Sequence, residues 1–265
     1  MSRRRKRGKS RKRLAYGVIA LIFILICVGT YFYLNPSNQN PTNENPLPHE
    51  AAIVDHLSFR NETANQTFVD ASRRILEEAG FDVKYYPGEN VTVNFYKKLF
   101  LQGYGLICLR VHSAIIGTGT ELGLFTSEIL DETKYNTESA PYYDDVRNHR
   151  IVNASFPENP IFYFAIAPGF IKKYATFHNT VIIMIGCDGL KYSTTAEAFI
   201  NRGAKVCIAW DGPVSTTHTD QATTCLLQHL AQRDAIEDAV NKTMNEVGPD
   251  IPYNSSLKYY PPTAG

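Results

Sequence analysis

Two residues in this chain could do covalent chemistry together, His112 and Cys187. Each follows a nearly continuous apolar run: GLICLRV, residues 105 to 111, precedes His112, and TVIIMIG, residues 180 to 186, precedes Cys187. Runs of this length and composition predict buried parallel strands. In a doubly wound sheet, functional groups gather at the carboxyl ends of the central strands, where the strand order reverses. Taken singly, a buried Cys is commonly a small hydrophobe and a single His is more often structural than catalytic. Taken together they satisfy a chemical need. A thiol becomes a nucleophilic thiolate only beside a base or a positive partner, and neighbouring strand ends can supply an imidazole. Gly186 and Gly189 flank Cys187 in MIGCDGL and predict a tight turn there, whose backbone N–H groups could line an oxyanion hole.

The elements that must hold these residues alternate between short apolar runs and helical patterns. Ala51 to Val54 predicts a strand, Gln66 to Ala79 an amphipathic helix closed by Gly80, Phe81 to Tyr85 a strand and Val93 to Leu101 a helix. After the second buried run come a helix near Thr195 to Arg202 and a strand from Lys205 to Trp210. A long helix follows, about Asp220 to Val247, with a break near Arg233. Between the two halves, Glu121 to Ile129 and Ile161 to Ile166 predict extra strands. They are separated by a polar loop, Asp131 to Arg150, longer than ordinary connections and therefore either mobile or functional, as a cover for the cleft or a site of activating cleavage. Strands alternating with helices imply right-handed βαβ units, so the fold class is α/β: a mainly parallel sheet in three layers, with helices on both faces.

At these residues the sequence resembles the caspase-like (clan CD) cysteine peptidases, the superfamily of caspases, gingipains, clostripain, separase and CHAT-domain proteases. The resemblance covers about residues 51 to 247. It rests on a strand ending in His (LICLRVHS), a strand ending in Cys (VIIMIGCDG), then helix, Gly-Ala and another strand (AFINRGAKVCIAWDG). It implies Cys187 as nucleophile, His112 as general base and acid, and the N–H groups of Cys187 and Ser113 as oxyanion donors. Ser113 stands where the family usually has Gly. The spacing of 75 residues from His112 to Cys187 exceeds the roughly 50 of caspases, and the insertion from Glu121 to Ile166 accounts for it. The resemblance further implies a substrate pocket built from Asp55 to Arg60 and from Trp210 to Ser215. There Asp55, Asp188 or Asp211 would pair with a basic side chain and Arg60 with an acidic one; Trp210 would line the wall, and solvated or capping roles are open for each charge. No cofactor is implied, and the partner is a polypeptide substrate.

Residues 1–13 carry nine Lys or Arg and no acid, and residues 14–34 carry no charge. At 1.5 Å per residue, 21 residues of helix span about 31 Å, the hydrocarbon thickness of a bilayer. Twelve of them are Leu, Ile, Val or Phe, worth roughly −4 to −7 kcal/mol towards insertion. The aromatic cluster Tyr31, Phe32 and Tyr33 suits the far interface, and the positive-inside rule keeps the basic tail cytoplasmic. A cleaved signal peptide is the rival, but its apolar region is shorter and ends at a small-x-small site, which Tyr-Phe-Tyr-Leu-Asn-Pro is not. The expected organisation is therefore a cytoplasmic tail (1–13), a transmembrane signal-anchor helix (14–34) holding Cys27, a Pro/Asn-rich stalk (35–50) and an outward-facing α/β domain (51–265).

The formal charge of +1 sums that basic tail and an ectodomain with 18 basic and 26 acidic residues, which disfavours nucleic acid as a partner. Six Asn-x-Ser/Thr sequons, at Asn61, Asn65, Asn90, Asn153, Asn241 and Asn254, fit an exported glycosylated surface. Cys108, Cys187, Cys207 and Cys225 show neither disulfide-framework spacing nor a CxxC pair. No HExxH is present, and His56, His149, His178, His218 and His229 lack metal spacing among themselves, so no metal site is expected; His56 does fall at a strand end close to His112. The stretch Gly117-Thr-Gly-Thr-Glu-Leu-Gly123 leads into a strand rather than a helix, which argues against a phosphate loop. The tail SLKYYPP is expected to pack across the domain or fray. Two other functions remain open: a catalytically silent caspase-like binding module, and a flavodoxin-like receptor for a small ligand.

Overall fold

The structure, a computed structural model, describes residues 49–156 and 160–264. The expected basic tail, membrane span and nearly all of the stalk lie outside these residues. Among the described residues, no helix is long and apolar enough to cross a membrane.

The fold is α/β, with a mainly parallel mixed sheet and helices on both of its faces. Its six strands are β1 (Glu50–Asp55), β2 (Asp82–Pro87), β3 (Leu106–Arg110), β8 (Thr180–Met184), β9 (Ala204–Trp210) and β10 (Leu257–Tyr260). They lie in the order β10-β9-β8-β3-β1-β2, and only β10 is antiparallel to its neighbour. The unassigned tail SLKYYPP thus supplies an edge strand.

Alternation along each central strand explains the layers. Ala52, Val54, Ile107, Leu109, Ile182 and Met184 enter one core; Ala51, Ile53, Leu106, Cys108, Val181 and Ile183 enter the other. A strand that is apolar on both sides has to be covered twice. One cover is α1 (Gln66–Glu78), α6 (Thr216–Ala231) and α7 (Ile236–Val247). The other is α2 (Val93–Leu99), α4 (Pro168–Tyr174) and α5 (Thr194–Ile200). Asn65 and Thr92 cap α1 and α2, accepting from Phe68 N–H and Phe95 N–H. The break expected near Arg233 in the closing helical stretch separates two helices, and Arg233 adopts φ 64° between them; the first begins at Thr216, ahead of the expected Asp220.

The insertion folds as a second sheet. Its antiparallel order is β4-β5-β7-β6, from β4 (Ser113–Ile115), β5 (Leu122–Ile129), β6 (Ile151–Ser155) and β7 (Phe162–Ile166). Leu122, Leu124, Ile151, Phe164 and Ile166 enter the first core, which locks this sheet to the body of the domain. Strands β4 and β6 and helix α4 have too few residues, or too mixed a pattern, to stand out in the sequence.

The polar segment from Asp131 to Arg150 is neither bare nor loose. It holds α3 (Tyr143–Arg147), and Tyr142 is buried and donates to Glu128. The Asp145 carboxylate, only 2% exposed, accepts from Arg150 Nε at 2.6 Å, Lys173 Nζ at 2.9 Å, Tyr174 Oη at 2.6 Å and Lys97 Nζ at 3.4 Å. Burial disfavours ionisation there, but these donors prevail and hold the carboxyl at about 2.

Because that value lies below the ordinary 3.8, Asp145 contributes stability that is complete above pH 4 and lost as pH falls through 2, worth about 2 kcal/mol. Hydrogen exchange along residues 131–150 should therefore accelerate between pH 4 and pH 2 beyond the intrinsic rate change, and Asp145→Asn should bring that faster exchange to pH 7. Equal protection in the two proteins at pH 7 would contradict the anchoring role.

Candidate active site

His112 and Cys187 stand at equal register beyond two neighbouring strands. Strands β3 and β8 are adjacent and parallel, with Leu109 opposite Met184, and each candidate residue stands three positions further on. Ile185 N–H donates to Leu109 O at 3.0 Å just beyond the ladder. At Gly186 the two chains pass so closely that a Cβ would overlap Val111 O and Ser113 Oγ. Ser113 Oγ then donates to Cys187 O at 2.7 Å, tying one strand end to the other. A Gly at position 113 could not make that bond.

The turn at Cys187 departs from the expected one. Its left-handed residue is Asp188, at φ 57°, rather than either glycine. Gly189 instead leaves room for the Ala209 methyl. The turn is stitched to the end of β9 by Asp188 N–H to Gly212 O at 2.9 Å and Leu190 N–H to Trp210 O at 2.8 Å.

The Cys187 sulfur lies between the N–H and C=O of Val214, at 3.5 and 3.7 Å. Burial raises its pKa above the ordinary thiol value; the Val214 N–H opposes this, and Asp188 and Asp250 add to it. His112 is held by aromatic walls, with Phe156, just beyond β6, at 4.9 Å and Phe125 of β5 at 6.1 Å between ring centroids. His56, on the turn after β1, meets it edge-on at 5.9 Å, and its Nδ1 accepts from His112 N–H at 3.5 Å. The Nε2 atoms of both rings are buried without a hydrogen-bond partner. Burial lowers His112 to about 4, helped by the positive charges of Arg60 and Arg110. Burial and the neighbouring His112 lower His56 to about 3. The resting pair is thus a neutral thiol and a neutral imidazole.

The remaining pocket candidates occupy diverse surroundings. Asp55 is buried and bound by Arg110 Nη1 at 2.7 Å, so its carboxylate serves the interior. Trp210 is also buried, its indole N–H donating to Thr219 Oγ1 at 2.9 Å. Asp211 accepts from Ser256 N–H and Lys258 Nζ, both at 2.7 Å, and so ties β9 to the tail. Asp188 pairs with Lys191 at 3.5 Å. Arg60 lies over the Phe156 ring at 4.7 Å, next to His112, with Glu62 at 3.6 Å. Of these charges, Arg60 and Asp188 stand nearest the two candidate residues. The stretch Gly117–Gly123 runs into β5.

No model of a known protein family matches this chain, and no curated protein matches it.

What the sequence reading missed is Arg110, fully buried two residues before His112. Its Nε and Nη2 donate to Asp220 at 2.7 and 2.8 Å, Nη1 to Asp55 and Nη2 to Thr63 O at 2.8 Å, while Phe68 lies 5.3 Å from the guanidinium. An Arg within an otherwise apolar run was the available signal, since a buried Arg demands partners.

Replacing Arg110 by Met would leave Asp55 and Asp220 facing each other out of water, and should cost about 3–5 kcal/mol in denaturant unfolding. A loss below 1 kcal/mol would show that the network is not a structural need. For Cys187, the raised thiol implies that iodoacetamide labelling of its peptide, followed by mass spectrometry, should speed up about tenfold per pH unit across the neutral range, because only the thiolate reacts. A rate already at its plateau below pH 7 would mean instead that a thiolate–imidazolium pair forms at rest.

Proposed function

We propose that this chain is a membrane-tethered cysteine endopeptidase of the caspase-like kind, acting on polypeptides outside the cytoplasm. The observation that carries the reading is the equal register of His112 and Cys187 beyond adjacent parallel strands. The strand order, with β8 and β3 central and one antiparallel edge at β10, supports it. The charge-free span after a basic tail supports the tether.

In the proposed reaction the Cys187 sulfur leaves its contact with Val214 and attacks the scissile carbonyl carbon, while His112 accepts the thiol proton. The oxyanion takes hydrogen bonds from the N–H groups of Cys187 and Ser113. His112 then protonates the leaving amine as the acyl-thioester forms, and afterwards draws a proton from the water that hydrolyses it. An imidazole lowered to about 4 is neutral at pH 7 but a weak base, so proton transfer from the raised thiol has to be promoted by substrate binding. Arg60 and Asp188 are the charges available to select a substrate side chain. Catalytic hydrogen bonds in unliganded enzymes are often unmade until substrate binds.

The second reading, a silent binding module of the same fold, is favoured by the raised Cys187 thiol and the unpartnered His112 Nε2. A thiol-directed peptide probe series varied at the residue before the warhead separates the two. For a peptidase, full-length protein in detergent should be labelled, labelling should vanish in Cys187→Ala, and it should fall at least about tenfold in His112→Ala. No labelling by any member of the series, or equal labelling of the His112→Ala protein, would favour the silent module.

A further inference from the structure

Where α6 meets α7, three side chains converge that are distant in sequence or only a helical turn apart. Cys225 and His229 are four residues apart on α6 and share one face, and Glu246 reaches them from α7. One donor atom from each lies within 4.8 Å of the others. Cys225 Sγ donates to Glu246 Oε2 at 3.3 Å, and His229 Nε2 is 2.9 Å from Glu246 Oε1. The other ring nitrogen, Nδ1, faces Asp234 Oδ2 at 3.3 Å, and Lys242 Nζ holds the same oxygen at 2.8 Å.

Glu246 Oε1 is a hydrogen-bond partner of Nε2, whereas Nδ1 is buried without a hydrogen bond although Asp234 Oδ2 is 3.3 Å away. A cation on Nε2 would take the place of the Glu246 contact and leave Nδ1–H for Asp234, with the sulfur, nitrogen and carboxylate oxygen already within 4.8 Å of one another. A carboxylate on the far nitrogen is what orients a metal-binding imidazole and fixes its tautomer.

We propose that Cys225, His229 and Glu246 form a binding site for a zinc-class divalent cation, oriented through Asp234 and closing α6 onto α7. Sulfur, imidazole and carboxylate together select zinc, cobalt or a similar ion over magnesium or calcium. A cavity of about 510 Å³, lined in part by Asn65, Asp220, Cys225, Gln228 and Glu246, borders the site. It offers an entry path and room for a water as fourth ligand. Binding exchanges the Cys225 thiol proton, released to solvent, for a sulfur–metal bond.

Full-length protein, stripped with a chelator and dialysed, would be titrated with Co²⁺ and followed by absorption. The expected result is one equivalent bound, with a near-ultraviolet sulfur-to-cobalt band and tetrahedral visible bands. The band should vanish in Cys225→Ser, and affinity should drop at least tenfold in His229→Gln and in Glu246→Gln, the last an exposed position where folding is undemanding. Cys187→Ala should leave the titration unchanged. Absence of a sulfur-to-cobalt band, a band that survives in Cys225→Ser, or one that disappears in Cys187→Ala would each overturn the site.

Discussion

The guanidinium of Arg110 is the interaction on which the geometry of this domain turns. It joins the ends of β1 and β3 through Asp55, the first turns of α6 through Asp220, and the chain leading into α1 through Thr63 O. Asn65, which caps α1, also donates to Asp220 at 2.8 Å. A charged pair taken out of water is favourable only when its remaining donors and acceptors are met, and here the guanidinium makes four short hydrogen bonds. The consequence is positional. The strand ends that carry His56 and His112 are held at one depth, and the charge of Arg110 helps to keep His112 unprotonated.

From that fixed edge, the meeting of β3 and β8 follows from small residues and short bonds. Gly186 admits the Val111 carbonyl, and Ser113 reaches across to Cys187 O. The insertion then closes over His112 with Phe125 and Phe156 and so furnishes the apolar wall that depresses the imidazole. The price of such enclosure is an uncharged pair at rest, which sets the proposed chemistry to begin on substrate binding. For a thiol proposed to face the outside, a protonated and enclosed resting state also limits oxidation, because the thiolate is the species that oxidants attack.

Much of this architecture was legible in the residues. The two apolar runs gave β3 and β8 because a strand buried on both faces has no polar alternation, and the capped amphipathic pattern gave α1 within a residue of its observed end. The break between α6 and α7 was legible near Arg233. The short strands β4, β6 and β10 were not, since three to five residues carry too little periodicity. The segment 131–150 read as either mobile or functional because polarity reads as solvation, whereas its Asp145 gathers donors from α2 and α4 that lie far away in the chain.

The sequence by itself determined the alternation of elements, the mainly parallel sheet and the strand-end positions of His112 and Cys187, because apolar periodicity is a local property and burial enforces it. Only the tertiary structure decided which charges were free. Asp55 and Asp211 look alike in sequence to any solvated acid, yet one is consumed by Arg110 and the other by Ser256 and Lys258. It also decided that Cys225, His229 and Glu246 converge, since the third side chain comes from a different helix and no spacing rule connects it to the first two. The physical reason is common to these cases: a charge or a lone pair is defined by its partners, and partners are chosen by folding, across distances that the order of residues does not encode.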